Sequence, residues 1–535
     1  MSSAIASGGQ TDAVTSLNTD HEKCHPAVTT ISGNDVFDPE GRTAFLATFS
    51  LEEEKKIQRK IDYHFLLLLG LMHMIKSMDT ANAAAVKVLQ VGQPSNILKE
   101  LHMNSDQYNW VQTFYYFGYI FMEAPMVSIM RKMLPHRYHS RILVSWGAVL
   151  ACHAALHNRQ GFYTARFFMG LMEGGMMPGH IAQLTNWYRS EDMQKPVMWL
   201  YGVQNCSGVL GSLLVYGISF LDGRGGLSAW RWVFLIEGLA TSAFGVLIYF
   251  LWPDYPKSKR SARWLSEREQ NFIEARLSEN APRTAEPAFS WREVLQSLAD
   301  PLTWAFTGCQ LFVNLGGFGL TWYTPTIITD LGFTKLPKNQ LLNIPPSAAA
   351  VGACIFAGWF VKKGYITRPL FVMIDLSCMV VCFILFFTIK SRGGIYAACI
   401  VGTAFYWMYF VIFYPWRTAK LHGATRAAIS VAIQNGLAQS GGAIGPQLFM
   451  SKWKHNRYRN SFAICASFVI TAWFINAATW FMTRNVEYDV RRVRLNRKAA
   501  KKEGKVLADD DVHVFEERQY YHGLRRNKDL ACLRR

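Results

Sequence analysis

The chain reads as an all-α membrane protein, with twelve transmembrane helices in two six-helix lobes. Three observations predict this. Apolar runs of the length a bilayer demands, roughly 20 residues, recur through a chain of 535 residues. Half the residues are hydrophobic and only 18% are charged, below the roughly one quarter of soluble domains. Finally, charges sit inside the apolar runs. Arg231 and Glu237 lie near the start of one that continues to Trp252, and Arg166, Gly170, Glu173 and Gly174 punctuate another at 162–183. An ion at membrane depth costs roughly 2.5–3.5 kcal/mol on insertion scales and is kept where it faces protein interior or a water-filled path. A polar route through a multi-pass bundle is the expected result.

The elements follow in order. Residues 1–60 are a polar tail, expected to be largely disordered and to lie in the cytoplasm. No short apolar run stands near Met1, so a cleaved signal peptide is not expected, and the first apolar helix directs insertion. The first lobe, 61–252, holds spans near 62–84, 107–130, 140–158, 161–183, 197–220 and 232–252. A polar linker at 253–300 carries Lys257, Lys259, Arg260, Arg263 and Arg268. The second lobe, 301–483, holds spans near 302–330, 342–361, 368–389, 394–416, 424–450 and 461–483. A tail at 484–535 opens on Arg491, Arg492, Arg494, Arg497 and Lys498. Six helices, a hydrophilic linker and six more is the layout of a duplicated transporter.

An even number of crossings puts both tails on one side. Arg131, Lys132, Arg137 and Arg141 after the second span, with the basic start of the last tail, favour the cytoplasm. Lys452, Lys454, Arg457 and Arg459 before the last span pull the other way. The net charge of +18 is spent on this topology, so no nucleic-acid partner is expected. The lipid bilayer is the partner.

Other chemistry finds little support. Of ten cysteines, Cys206, Cys309, Cys354 and Cys399 lie in apolar runs and read as small packed hydrophobes. Cys378 and Cys382, one helical turn apart, read the same way, and no Cys-x-x-Cys occurs. His153 and His157 share that spacing without a third ligand, so no metal is expected. There is no phosphate-binding Gly-x-x-x-x-Gly-Lys-Ser/Thr loop for ATP. No nucleophile–base pair suggests an enzyme, and no cofactor is expected.

The residues carry a resemblance. Gln107-Tyr108-Asn109-Trp110 leads to Phe117-Gly118-Tyr119 and Glu123-Ala124-Pro125. Arg166, Gly170, Glu173, Gly174 and Pro178-Gly179 follow, then the stretch 226–238. The second half adds Trp291-Arg292-Glu293-Val294, Asp300-Pro301, residues 423–426, and Gly441-Gly442-Ala443-Ile444-Gly445-Pro446. In this order, from about Asp62 to Met482, they resemble the major facilitator superfamily and, within it, the anion:cation symporter family and its fungal allantoate permease group. The resemblance implies the major facilitator fold, alternating access, and a site between the lobes near the bilayer midplane. It also implies a small organic anion as substrate, protons as the driving force, a fungal plasma membrane, and a chain acting as a monomer. Uptake is the direction expected. A proton-antiport exporter of a metabolite, or a non-transporting nutrient sensor, stays open beside it.

Arg166 and Glu173 are two helical turns apart and share a face, which His180 continues. Gly170 between them admits a close neighbour. In similar organic-anion transporters the matching arginine and glutamate serve substrate binding and proton coupling; a structural ion pair is the alternative. In the first span many relatives place Arg or Lys directly after an acid. Here Asp79 is followed by Thr80, and Lys76 lies one turn earlier on the same face as residue 80. Lys76 is thus either a displaced substrate contact or the partner of Asp79. Substrate-binding candidates are Lys76, Asn82, Gln112, Tyr116, Arg166, Asn205, Asn314, Tyr323, Tyr406 and Gln439. Proton-coupling candidates are Glu173, Asp79 and Arg166. Glu123 and Glu237 are expected to anchor helix ends.

Overall fold

The computed structural model describes residues 39–189, 192–277, 291–333, 337–363, 366–418, 424–456 and 458–502. Twelve helical rods are named here α1 to α12. The first six are α1 (Leu67–Lys87), α2 (Ser105–Lys132), α3 (Pro135–Cys152), α4 (Arg159–Glu173 and Met176–Trp187), α5 (Gln194–Ile218) and α6 (Ala229–Leu251). The second six are α7 (Pro301–Leu331), α8 (Ile344–Lys363), α9 (Arg368–Thr388), α10 (Arg392–Thr418), α11 (Ala424–Ala438 and Ser440–Ile444) and α12 (Arg459–Lys502). No strand occurs among the described residues.

Local chemistry sets the ends. The Asn104 side chain accepts from Gln107 N at 2.7 Å, and the Gln107 side chain returns to Asn104 N at 3.0 Å, a capping box at the head of α2. Asn158 caps α4 through Gly161 N at 2.7 Å. Asp300 caps α7 through Leu302 N at 3.0 Å, with Pro301 at its first position.

Among the described residues six helices, α5, α6, α8, α9, α10 and α12, are long and apolar enough to cross a membrane by composition alone. The other six, α1 to α4, α7 and α11, bury polar side chains such as His73, Asp79, Gln112, His139, Arg166, Gln310 and Asn435. Those groups lower the hydropathy of the helices that build the interior, as expected for functional spans. Within the first lobe α3 packs on α6, α2 on α4 and α1 on α5. Within the second, α8 packs on α10, and α12 on α7 and α9. Across the lobes α5 meets α8, and α2 meets α11.

Several boundaries differ from the sequence expectation. The span expected at 161–183 is broken, because the backbone turns at Gly174 and at Gly175, whose φ is +88°. The span expected at 424–450 breaks after Ala438 and ends in a 3-10 turn, Gly445–Leu448. The span expected from 140 begins at Pro135, and the last helix runs past 484 into the expected tail.

The expected tail at 1–60 is helical over Pro39–Ala47 and Leu51–Ile61, while 1–38 lie outside the described residues. Leu51–Ile61 docks on the linker helix Glu267–Ala275. Lys60 Nζ lies 2.7 Å from Glu269 Oε1, Arg276 Nη1 donates to Gln58 Oε1 at 2.8 Å, and the Phe49 and Phe272 rings are 4.4 Å apart. Burial pushes the Glu269 carboxyl up, but hydrogen bonds from Lys60 and Ser266 outweigh it and hold it below the usual range. These short helices mark one end of the bundle, the termini side. Residues 278–290 and 503–535 lie outside the described residues.

Candidate functional site

A cavity of about 250 Å³ lies between the lobes. From the first lobe, α1 contributes Lys76, Thr80 and Asn82, α2 contributes Gln112, Tyr116 and Tyr119, and α5 contributes Tyr201, Gln204 and Asn205. From the second, α7 contributes Gln310 and Asn314, α10 contributes Tyr406, Trp407 and Phe410, and Asn435 and Gln439 come from α11 and its break. Among the described residues the lining holds one Lys or Arg, Lys76, and no Asp or Glu. Amides and rings bind by hydrogen bonds and stacking, so a full negative charge in this space has one cation to face.

Lys76 is held from behind. Its Nζ lies 3.2 Å from Glu173 Oε1 and 3.4 Å from Tyr119 OH, and sits 4.7 Å from the Tyr119 ring centroid. Tyr115 OH donates to the same Glu173 oxygen at 2.6 Å. The Lys76 side chain is 14% exposed and that of Glu173 is 0%. The cation therefore reaches the cavity while the carboxylate does not. A buried carboxylate is costly unless paired; Lys76 of α1 supplies the cation, and the close crossing of α2 and α4 brings in the Tyr115 hydroxyl. A Cβ on Gly170 would stand 2.0 Å from Tyr115 O, so only glycine admits this crossing.

Asp79 does not pair with Lys76. It faces α3 and α6, where one oxygen accepts from Trp146 Nε1 and from Thr241 Oγ1, both at 2.9 Å. Asn82 lines the cavity yet donates to the Glu237 carboxylate, so Glu237 belongs to this buried cluster and not to a helix end. Arg166 departs furthest from expectation. It is fully buried behind the cavity wall, its guanidinium 5.4 Å from the Phe162 ring and 5.1 Å from that of Phe234. It does not line the cavity, and no carboxylate lies within ion-pair distance among the described residues. Sharing a face with Glu173 did not bring the two together, because two turns of helix separate them along the axis by roughly 10 Å.

Eight of the proposed contacts, Lys76, Asn82, Gln112, Tyr116, Asn205, Asn314, Tyr406 and Gln439, border the cavity. Tyr323 does not. It closes the far side, donating to Phe449 O at 2.6 Å and receiving Asn109 Nδ2 at 3.1 Å across the lobes. His180 lies in a buried cluster with His73 and His139, ring centroids 5.6 and 5.2 Å away. Sequence reasoning passed over Tyr201, Gln204, Gln310, Tyr414 and Phe410. Helical spacing carried the signal for most of them: Gln310 precedes Asn314 by one turn, Tyr201 precedes Asn205, and Phe410 and Tyr414 continue from Tyr406.

The chain matches the family description Major Facilitator Superfamily over residues 78–446. The chain belongs to the major facilitator superfamily. The MFS-type transporter cnsO of Penicillium expansum is 26% identical over 480 residues, 87% of this chain and 90% of its own. The MFS-type transporter efuF of Hormonema carpetanum is 24% identical over 446 residues, covering 82% and 88%. An uncharacterized transporter of Schizosaccharomyces pombe is 25% identical over 401 residues, covering 74% and 76%. A bacterial homolog of the human lysosomal transporter Spinster, solved inward-facing and unoccupied, superposes with a TM-score of 0.57 at 14% identity. The match covers 81% of this chain and 98% of that one. This major facilitator protein is thus a multi-pass membrane transporter and not an enzyme.

Proposed function

We propose that this transporter carries a small organic anion, a carboxylate of vitamin or nitrogen-source type, together with a proton by alternating access. The observation that carries the reading is Lys76, the one Lys or Arg among the described residues of the cavity lining, paired with a carboxylate that solvent does not reach. An anion entering the cavity competes with Glu173 for Lys76. Glu173, losing its cation at full burial, stays in place at least cost by taking a proton. Substrate and proton are then loaded as a pair.

Gln112, Asn205, Asn314 and Gln439 supply hydrogen bonds, and Tyr116 and Tyr406 supply walls. Asp79, Glu237 and Arg166 act from behind the wall, setting the field at Glu173. Within the superfamily, the group proposed is the anion:cation symporter family, in its fungal allantoate permease branch. The chain works as a monomer in the plasma membrane with both termini in the cytoplasm.

Uptake into proteoliposomes of a labelled panel of small carboxylates, under an imposed pH gradient, tests this. Accumulation that follows an inward proton gradient and collapses with a protonophore is expected. Accumulation only under the opposite gradient identifies an exporter. Binding without flux identifies a sensor. Protease-accessible tags at either end, when added outside intact cells, would overturn the orientation.

A further inference from the structure

On the termini side of the cavity lies a second polar network, built on a carboxylate that the transport reading leaves unused. Glu123 on α2, in the first lobe, is buried, and its Oε1 accepts from Asn435 Nδ2 of α11, in the second lobe, at 2.6 Å. Asn435 Oδ1 accepts from Gln310 Nε2 at 3.2 Å and from Tyr414 OH at 3.1 Å. Gln310 Oε1 accepts from Arg417 Nη1 at 2.7 Å. Arg417 is 1% exposed, its guanidinium 4.3 Å over the Tyr414 ring, with Nε and Nη2 facing no acceptor among the described residues. Beside Asn435, a Cβ on Gly436 would stand 2.9 Å from Glu123 Oε2, so the lobes meet closely here.

We propose that Glu123 is a positioning residue of the transport cycle: its ionised carboxylate latches the lobes together on the termini side, through Asn435 and the Gln310–Arg417 cluster, and its protonation releases them. The geometry divides the network cleanly. Gln310, Tyr414, Arg417 and Asn435 all belong to the second lobe and move as one body. The Glu123–Asn435 bond is the link that opening must break.

A carboxylate accepts from an amide more strongly than a carboxylic acid does, and its charge is drawn to Arg417 through a medium of low dielectric. Both attractions fall away when Glu123 takes a proton. The titratable and charged groups around Glu123 are Lys76 from α1, Tyr119 from its own helix, Tyr138 from α3, and Tyr414 and Arg417 from α10. Lys76 is engaged by Glu173, which leaves Arg417 as the cation that acts across the lobes. Gln310, Tyr414 and Asn435 also line the cavity, so a bound molecule touches the latch it must pass. The proposal needs only that the lobes move, and it stands or falls apart from the anion reading.

The test is a distance. Spin labels at K132C and K363C, exposed ends of α2 and α8 on the termini side, report lobe separation in the full chain with its native cysteines replaced. The protein is held in lipid nanodiscs without substrate. At pH 5 the separated population is expected to be roughly tenfold larger than at pH 8. E123Q is expected to show the pH 5 distribution at both pH values. N435A, which keeps the carboxylate but removes its cross-lobe donor, is expected to be separated at pH 8. A wild-type distance unmoved by pH, a pH response that survives in E123Q, or a closed N435A at pH 8 overturns the proposal. Where E123Q does not fold, N435A and the wild-type titration decide.

Discussion

Both lobes meet the cavity with amides and rings, and among the described residues the first alone adds a Lys or Arg. In the first, Lys76 faces the space while Asp79, Arg166, Glu173 and Glu237 stand buried behind it. In the second, the facing polar groups are Gln310, Asn314, Asn435 and Gln439, and Arg417 stands one side chain back. Asp375 on α9 is buried too, but away from the cavity lining. Ionisable groups respond to protons, whereas amides respond to shape and hydrogen-bonding pattern. The contrast assigns coupling to the first lobe and leaves fit as the whole task of the second, and five changes try that division.

The largest effect is expected at the α2–α4 crossing. G170A drives a methyl into Tyr115 O, a backbone atom that cannot yield alone, at a cost on the order of 3 kcal/mol. Fluorescence-detected size exclusion should show little folded protein. G352A on α8, where a Cβ meets nothing within 4 Å, should fold normally.

Next comes the cavity cation. K76A should weaken anion binding by roughly a hundredfold, the scale of a lost buried charge pair. Adding T80R should recover part of it, since Thr80 borders the same cavity one turn further along. Equal loss in both variants, each present at the membrane, would show that position 80 cannot carry the contact.

E173Q separates coupling from binding. It should still exchange substrate with substrate on both sides, while accumulation driven by a pH gradient disappears. Should E173Q concentrate substrate with wild-type pH dependence, the proton site moves to Asp79 or Glu123. N314A in the second lobe should do the converse. Binding falls roughly three- to tenfold, the scale of one hydrogen bond, and the response to the gradient stays intact. A coupling defect in N314A would break the division between lobes.

R166K carries the smallest expected effect. The guanidinium lies against Phe162 and Phe234 and outside the cavity. Lysine, a compact and strongly hydrated charge, replaces it poorly there. Thermal stability should fall by about 1–2 kcal/mol, with substrate affinity within twofold of wild type. A large affinity loss at unchanged stability would return Arg166 to the binding site.

Much of this was legible in the residues. Run length and hydropathy located the helices, because a continuous apolar run of about 20 residues satisfies its backbone in a bilayer as a helix. Polar positions inside the runs located the interior, and most of the residues chosen on that ground do border the cavity. Pairing was less legible. Arg166 and Glu173 share a stripe but do not touch, Lys76 and Asp79 are one turn apart yet face opposite neighbours, and Glu237 and Glu123 read as end anchors.

What the order of residues determined here is therefore periodic and local: twelve helices, their caps, the faces that carry polar groups, and the superfamily. It could not say which helix each face would meet. Lys76 found Glu173 because α1 packs beside α4 in the fold, Tyr115 reached the same carboxylate because α2 and α4 cross at a glycine, and Asp79 found Trp146 and Thr241 because α3 and α6 pack behind α1. A buried charge takes whatever stands beside it, a cation for Glu173 and aromatic faces for Arg166, and most of those neighbours come from distant parts of the chain. Only the folded arrangement of helices chooses them.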